Sequence, residues 1–477
     1  MTTSPGLTSR FAEGLHALGR GVPLAEHHRA AARLLIMDGL AVAVAGSGEP
    51  GPSLLRRTFA GPAGACTLIG AEGRADPVAA ARINGAAMHV LDFEAMWSPP
   101  NHATSTTLPA LLAAAEAKGA DGAAVLAGYV AGVEAQCRLR RASQVIEPRA
   151  FNFHPPGLVG PIGAAVAAGH LLGLSPLQLR HAIGVAASCC GSLLANVGSM
   201  TKALHCGNAA ASGLMAALLA EGGFTANPDV LEAPHGYAGN LVETLDEADL
   251  TAVGRPLMLE DPGFAFKLFP CQYGTHFAVT AALELAPQLG DPARITGVEL
   301  VTPEMDYIDR PRPRTGLEGK FSFQYTAAAA LLDGKVTIAS FADARLARPD
   351  MQRLLGLIEL RQDPALPASF EAMEVRIVVH RQGLPPLEAV CPAPRGYLRK
   401  GAPVGAAEIE AKARDCLATR LPPATVEAVV DGARRIDMLS AAELAALIKL
   451  TVPSPADSMG WSDRSPPVRQ NGPAPTH

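Results

Sequence analysis

The chain has 477 residues, 48% hydrophobic and 18% charged, with a formal net charge of -5. That length calls for two or three domains, and the apolar share supplies a large core. The balance is slightly acidic with no basic stripe, which excludes the electrostatic footprint of a nucleic-acid binder but leaves room for local cations around a small anion. Aromatics are only 5% while glycines number 47, so the core must be built from Ala, Leu, Val and Gly, which favours close helix packing.

Helical periodicity first appears over 25–45. A helix pair follows at 107–118 and 122–137, broken at Lys118-Gly119, and Ala-rich helices at 157–172, 176–190 and 207–221. Residues 150–179 carry no Asp, Glu, Lys or Arg. A membrane span needs about 20 mostly apolar residues, but Pro155, Pro156, Pro161 and Pro176 interrupt this stretch, which reads as buried helices, with no membrane partner. Composition changes at the turn signal Asp261-Pro262-Gly263. Beyond it come a helix (276–288), an alternating strand (295–303) and a helix ended by Gly334 (321–334). Two antiparallel strands follow (373–380 and 386–391), joined by a Gly-Pro turn. Helices return at 406–417 and 424–449. The Pro-rich stretch 452–477 is expected to be disordered. The predicted fold is mainly α: helical residues 1–266 and 401–451, with a smaller α+β domain at 267–400.

Eight cysteines (Cys66, Cys137, Cys189, Cys190, Cys206, Cys271, Cys391 and Cys416) form no C-x-x-C pair. They read as free thiols, mostly small buried hydrophobes, in a reducing compartment. The N-terminus lacks the charged head and apolar run of a signal peptide, so a cytoplasmic location is expected.

No P-loop, dinucleotide fingerprint, H-E-x-x-H or G-x-S-x-G elbow is present, so neither a metal nor a cofactor is predicted. What stands out is a set of polar islands within apolar sequence, where burial is costly unless the polar groups are paired or used. They are NGAAMHVLDFEAMWSPPNHATSTTLPA (84–110), FNFHPPGLVGPIG (151–163), GSMTKALHCGNAAASG (198–213), GFAFKLFPCQYGTH (263–276) and SFQYTAAAALLDG (322–334). Each residue has an ordinary alternative. His89 and Asp92, three apart on one helix face, could bond each other. His102 could be a solvent-facing loop histidine, Lys202 a helix-start residue, and Lys267 a lysine snorkelling past Phe266 and Phe269.

Taken together, the blocks N-G-A-A-x-H-x-L-D-F, K-x-L-H-x-G-N-A-A and S-F-Q-Y-x-x-A-x-x-L-L-D-G resemble the signature blocks of the MmgE/PrpD family over roughly residues 10–450. That family includes 2-methylcitrate dehydratase, cis-aconitate decarboxylase and iminodisuccinate epimerase. The resemblance implies a large all-helical domain with an inserted α+β lid, a homodimer, and an active site in the cleft between helical domain and lid. It also implies a metal-independent lyase acting on a small di- or tricarboxylic acid. Carried over, it assigns catalytic roles to Asp92, His102, His154, Lys202, Lys267 and Tyr325, and substrate contacts to His205, Met96, His276 and His89. Where the family often continues L-D-F with Asp-Asp-Thr, this chain has Glu94-Ala95-Met96. Met96 offers no hydroxyl, which implies a differently substituted or less polar acid.

These residue types suit the chemistry. Lysines supply charge for carboxylates and for a carbanion- or enolate-like state. Histidine, with an unperturbed pKa of about 6.5, moves protons near neutral pH. His102 is the expected general acid/base, His154 a second proton carrier, and Asp92 an orienting or charge-fixing group. An epimerase would use the same proton abstraction, and a carboxylate-binding homologue the same cations.

Overall fold

The computed structural model describes residues 5–18, 24–61, 64–145, 152–242, 244–397 and 403–454. From 455 onward the expected tail lies outside these residues, as do Phe151 and the 400/401 boundary. The fold is mainly α. Glu26–Gly46, Pro77–His89, Ala103–Lys118, Gly122–Ala142, Pro155–Leu171, Pro176–Ala187 and Met200–Glu221 form the main helical body. Small residues let these helices approach closely. A Cβ on Gly207 would stand 2.3 Å from the Arg82 carbonyl oxygen, and one on Gly85 would stand 3.0 Å from the Gly207 Cα. The crossing of Pro77–His89 over Met200–Glu221 therefore depends on having no side chain at either glycine.

Met200–Glu221 begins earlier than the predicted 207. Ser199 caps it, accepting from the Thr201 N–H at 3.3 Å, and its first turns are polar, which hides them from an apolar count. By length and composition this helix could cross a membrane, yet 67% of its most apolar window is buried inside the protein.

A four-stranded sheet has the order Ile358–Gln362, Ile295–Thr302, Val375–Arg381, Leu384–Cys391. The predicted pair is antiparallel, but its turn lies at Gln382-Gly383, with Gly383 at φ +67°. Pro385 and Pro386 fall inside the outermost strand, where an absent N–H is tolerated. Ile358–Gln362, parallel to Ile295–Thr302, was not expected, because its polar residues mask the alternation. Thr275–Leu285 and Phe323–Asp333 share with the sheet a hydrophobic core that also takes in Met96 and Val197.

The C-terminal helices return to the first body, Ala406–Leu417 packing on Glu26–Gly46. The helix predicted over 424–449 is two, Pro423–Arg434 and Ala441–Leu450, because Ser440 and Glu443 form a capping box that starts a new helix.

Candidate active site

Four of the polar islands meet at one place. Pro77–His89 ends on His89, so Asp92 does not lie on the same helix face, contrary to expectation. Asp92 stands in the following turn with φ +49°, its N–H donating to the His89 carbonyl at 2.9 Å. Met96-Trp97 then pairs with Phe264-Ala265, which brings Lys267 alongside. His102 is the N-cap residue of Ala103–Lys118, and His154 that of Pro155–Leu171. Lys202 and His205 share one face of Met200–Glu221. One turn past Gly85 and little more than one turn before Gly207, His89 and Lys202 meet.

Asp92 binds both lysines. Its Oδ2 lies 2.8 Å from Lys202 Nζ and its Oδ1 pairs with Lys267 Nζ. Burial alone would raise the Asp92 carboxyl, but the two ammonium groups outweigh it and hold the acid well below the carboxylate range. Lys267 is fully buried rather than snorkelling, and burial lowers its pKa. Lys202 Nζ also lies 2.7 Å from His89 Nε2, while His89 Nδ1 lies 2.5 Å from Glu94 Oε1. Nε2 facing an ammonium donor and Nδ1 facing a carboxylate describe a neutral imidazole with its proton on Nδ1. Consistent with this, burial pushes His89 down to about 4. His102 is buried, not solvent-facing, with Nδ1 3.2 Å from Glu94 Oε1 and Nε2 3.8 Å from Asp92 Oδ1. His154 and His205 face each other Nδ1 to Nδ1 at 3.3 Å. Burial drives His154 well below the usual histidine value and His205 down to about 4.

These groups border a cavity that opens to solvent, about 500 Å³ with its open mouth included. Of the predicted residues, Asp92, Met96, His102, His154 and Lys202 line it. Lys267, His89 and His205 stand behind them as partners of lining side chains. Tyr325 is not brought to the cavity. Its hydroxyl donates to the Ser340 carbonyl at 2.5 Å, inside the core beside the sheet. His276 is likewise packed away against Phe269 and Tyr273, its Nε2 3.3 Å from the Cys271 carbonyl. Sequence reasoning missed Gln272, Tyr273, Tyr307 and Phe370, which also line it, and it gave Glu94 no role. The signal for Glu94 was an acid two residues from Asp92 in an apolar run flanked by His89 and His102.

At this site two sets could hold a metal ion, His89–Glu94–His102 and His89–His154–Cys206, each with donor atoms within 4.8 Å of one another, while a third among the described residues, His27–His28–Glu260, lies outside the cavity lining. His89 is common to both, and the Lys202 ammonium already bound to it opposes a second cation there.

Residues 20–247 match the MmgE/PrpD N-terminal domain and residues 269–435 the MmgE/PrpD C-terminal domain. The chain belongs to the MmgE/PrpD family. Within that family it is 32% identical over 412 residues to the cis-aconitate decarboxylase of Homo sapiens, covering 84% of this chain and 83% of that protein. It is 35% identical to the cis-aconitate decarboxylase of Mus musculus, over 64% of this chain and 65% of that protein, just under two thirds of its length. A 2-methylcitrate dehydratase of Cupriavidus necator is 26% identical over 76% of the chain and 79% of its own length.

Proposed function

We propose that this MmgE/PrpD protein is a metal-independent lyase that removes water or carbon dioxide from a small di- or tricarboxylic acid of the 2-methylcitrate or cis-aconitate type. The observation that carries the reading is the convergence of an imidazole, an ammonium and a carboxylate, from His102, Lys202 and Asp92, on one solvent-accessible cavity. The names of the relatives agree with it. Lys202 meets a substrate carboxylate and stabilises the enolate-like charge that develops when the neighbouring carbon loses a proton or carboxylate. His102 carries the proton. Asp92 holds Lys202 in place and balances the two buried ammonium groups.

In this reading residues 267–400 act as a lid contributing Gln272, Tyr273, Tyr307 and Phe370 to the cavity. The chain works as a cytoplasmic homodimer without membrane or nucleic-acid partners. Exposed Met200, Met215 and Leu219 on one helix support dimerisation, which light scattering would test.

The deciding experiment follows cis-aconitate, citrate, 2-methylcitrate and iminodisuccinate by NMR in deuterated water. Loss of water or carbon dioxide supports the lyase. His102 and His154, with ring centroids 6.3 Å apart on one cavity, favour an epimerase as the second reading. Deuterium exchange without elimination would establish that alternative.

A further inference from the structure

Among the buried charged side chains that do not line the cavity, Asp38, Lys320 and Lys412 converge on one stretch of backbone. Asp38 and Lys412 pair at 2.7 Å, joining Glu26–Gly46 to Ala406–Leu417. A buried ion pair is weak evidence for stability, since apolar residues of similar size often serve as well. What distinguishes this pair is where its remaining hydrogen-bonding capacity goes. Asp38 Oδ2 accepts from the Ala95 N–H at 2.9 Å. Lys412 Nζ donates to the Phe93 carbonyl at 2.6 Å and lies 4.0 Å from the centre of the Phe93 ring. From a third direction, Lys320 Nζ donates to the Leu91 carbonyl at 3.4 Å and the Pro270 carbonyl at 3.2 Å.

Leu91, Phe93 and Ala95 alternate with Asp92 and Glu94, the two acids that organise the site. The backbone at Asp92 is left-handed, a conformation costly for a residue with a Cβ and kept only where the surroundings over-determine it. Three charges from distant parts of the chain grip the backbone on both sides of that residue, and the intervening side chains point to the lysines and histidines.

We propose that the buried Asp38–Lys412 pair, together with Lys320, is a backbone clamp that positions Asp92 and Glu94 for the reaction. The three are positioning residues, and the reaction in question rests on the lyase reading above.

The test replaces the pair by apolar side chains, Asp38→Leu with Lys412→Met, so that no buried charge is left alone. The expected enzyme is folded, with a thermal midpoint near wild type. Its KM for cis-aconitate or 2-methylcitrate, whichever wild type turns over, stays within about threefold. Its kcat falls roughly tenfold or more, the scale of a small misplacement at a reacting centre. Without substrate, the imidazole NMR signals of His89 and His102 move. A folded double variant with unchanged kcat and unchanged imidazole signals would overturn the clamp.

Should that variant fail to fold, Lys412→Gln and Lys412→Met are compared in the Asp38→Asn background. Glutamine keeps an N–H for the Phe93 carbonyl and is expected to retain more kcat, whereas equal losses would overturn the proposal. If wild type acts on none of the acids, the lyase reading fails, while the imidazole signals still decide the clamp.

Discussion

Two polar islands look equally motif-like in sequence and have opposite uses in the fold. In the island around Asp92, charged side chains are spent on one another: Asp92 on Lys202 and Lys267, Glu94 on His89 and His102. In the island around Tyr325, polar side chains are spent mainly on backbone. Tyr325 donates to the Ser340 carbonyl and Ser322 to the Arg310 carbonyl, while Gln324 accepts from the Arg310 N–H and donates to Asp309. The first arrangement keeps ionisable groups beside a cavity. The second closes hydrogen bonds inside a core and leaves nothing over for a substrate. Side chains that satisfy backbone build architecture, and side chains that must satisfy each other mark a candidate site.

The comparison is most sharply broken at Asp92. Asp92→Asn leaves two buried ammonium groups without their shared counter-charge. We expect turnover to disappear and stability to fall by about 3 to 5 kcal/mol in denaturant unfolding. Retained turnover would mean that the ion cluster is only structural.

His102→Ala should separate chemistry from folding. Loss of a general acid/base lowers kcat roughly 10²- to 10⁴-fold, and calorimetry should show a nearly unchanged midpoint. Near-normal turnover would remove His102 from its assigned role.

A gentler probe is pH. His89 and His205 have folded values of about 4 against an ordinary 6.5, so between those limits the unfolded chain binds protons that the folded chain refuses. Stability should therefore be full above pH 6.5 and decline as pH falls toward 4. His205→Gln should flatten part of that decline in urea midpoints measured across the range. Asp92, held low by its lysines, contributes stability above the ordinary carboxylate value and loses it only at still lower pH.

The smallest effect belongs to the second island. Tyr325→Phe removes one hydrogen bond to a buried carbonyl, costing about 1 kcal/mol, with kcat unchanged. A large loss of kcat there would erase the distinction between the two islands.

Much of the fold was legible because its signals are local. Apolar periodicity and helix-ending glycines placed most helices, and alternation found three of the four sheet strands. Ile358–Gln362 escaped because its pattern is masked by charge, and the split at Ser440 because a capping box interrupts an otherwise continuous helical pattern. In the site, Asp92, His102, His154 and Lys202 were visible as polar residues in apolar surroundings, and the structure brings them together. Glu94 was given no role, and Tyr325 stands away from the cavity, since a one-dimensional pattern does not say whether a polar group will find a carbonyl or a charge.

The sequence by itself determined a mainly helical chain with a smaller sheet-bearing part, small-residue helix packing, and the polar blocks that carry the family likeness. Only the tertiary structure decided which of those groups meet. Lys202 reaches His89 because Gly85 and Gly207 let two helices touch, and Asp92 keeps a left-handed backbone beside Lys320 and Lys412, which grip the carbonyls on either side of it. Periodicity is set by neighbours along the chain, whereas the energy of a buried charge depends on partners far away in sequence, as Lys412 is from Asp38.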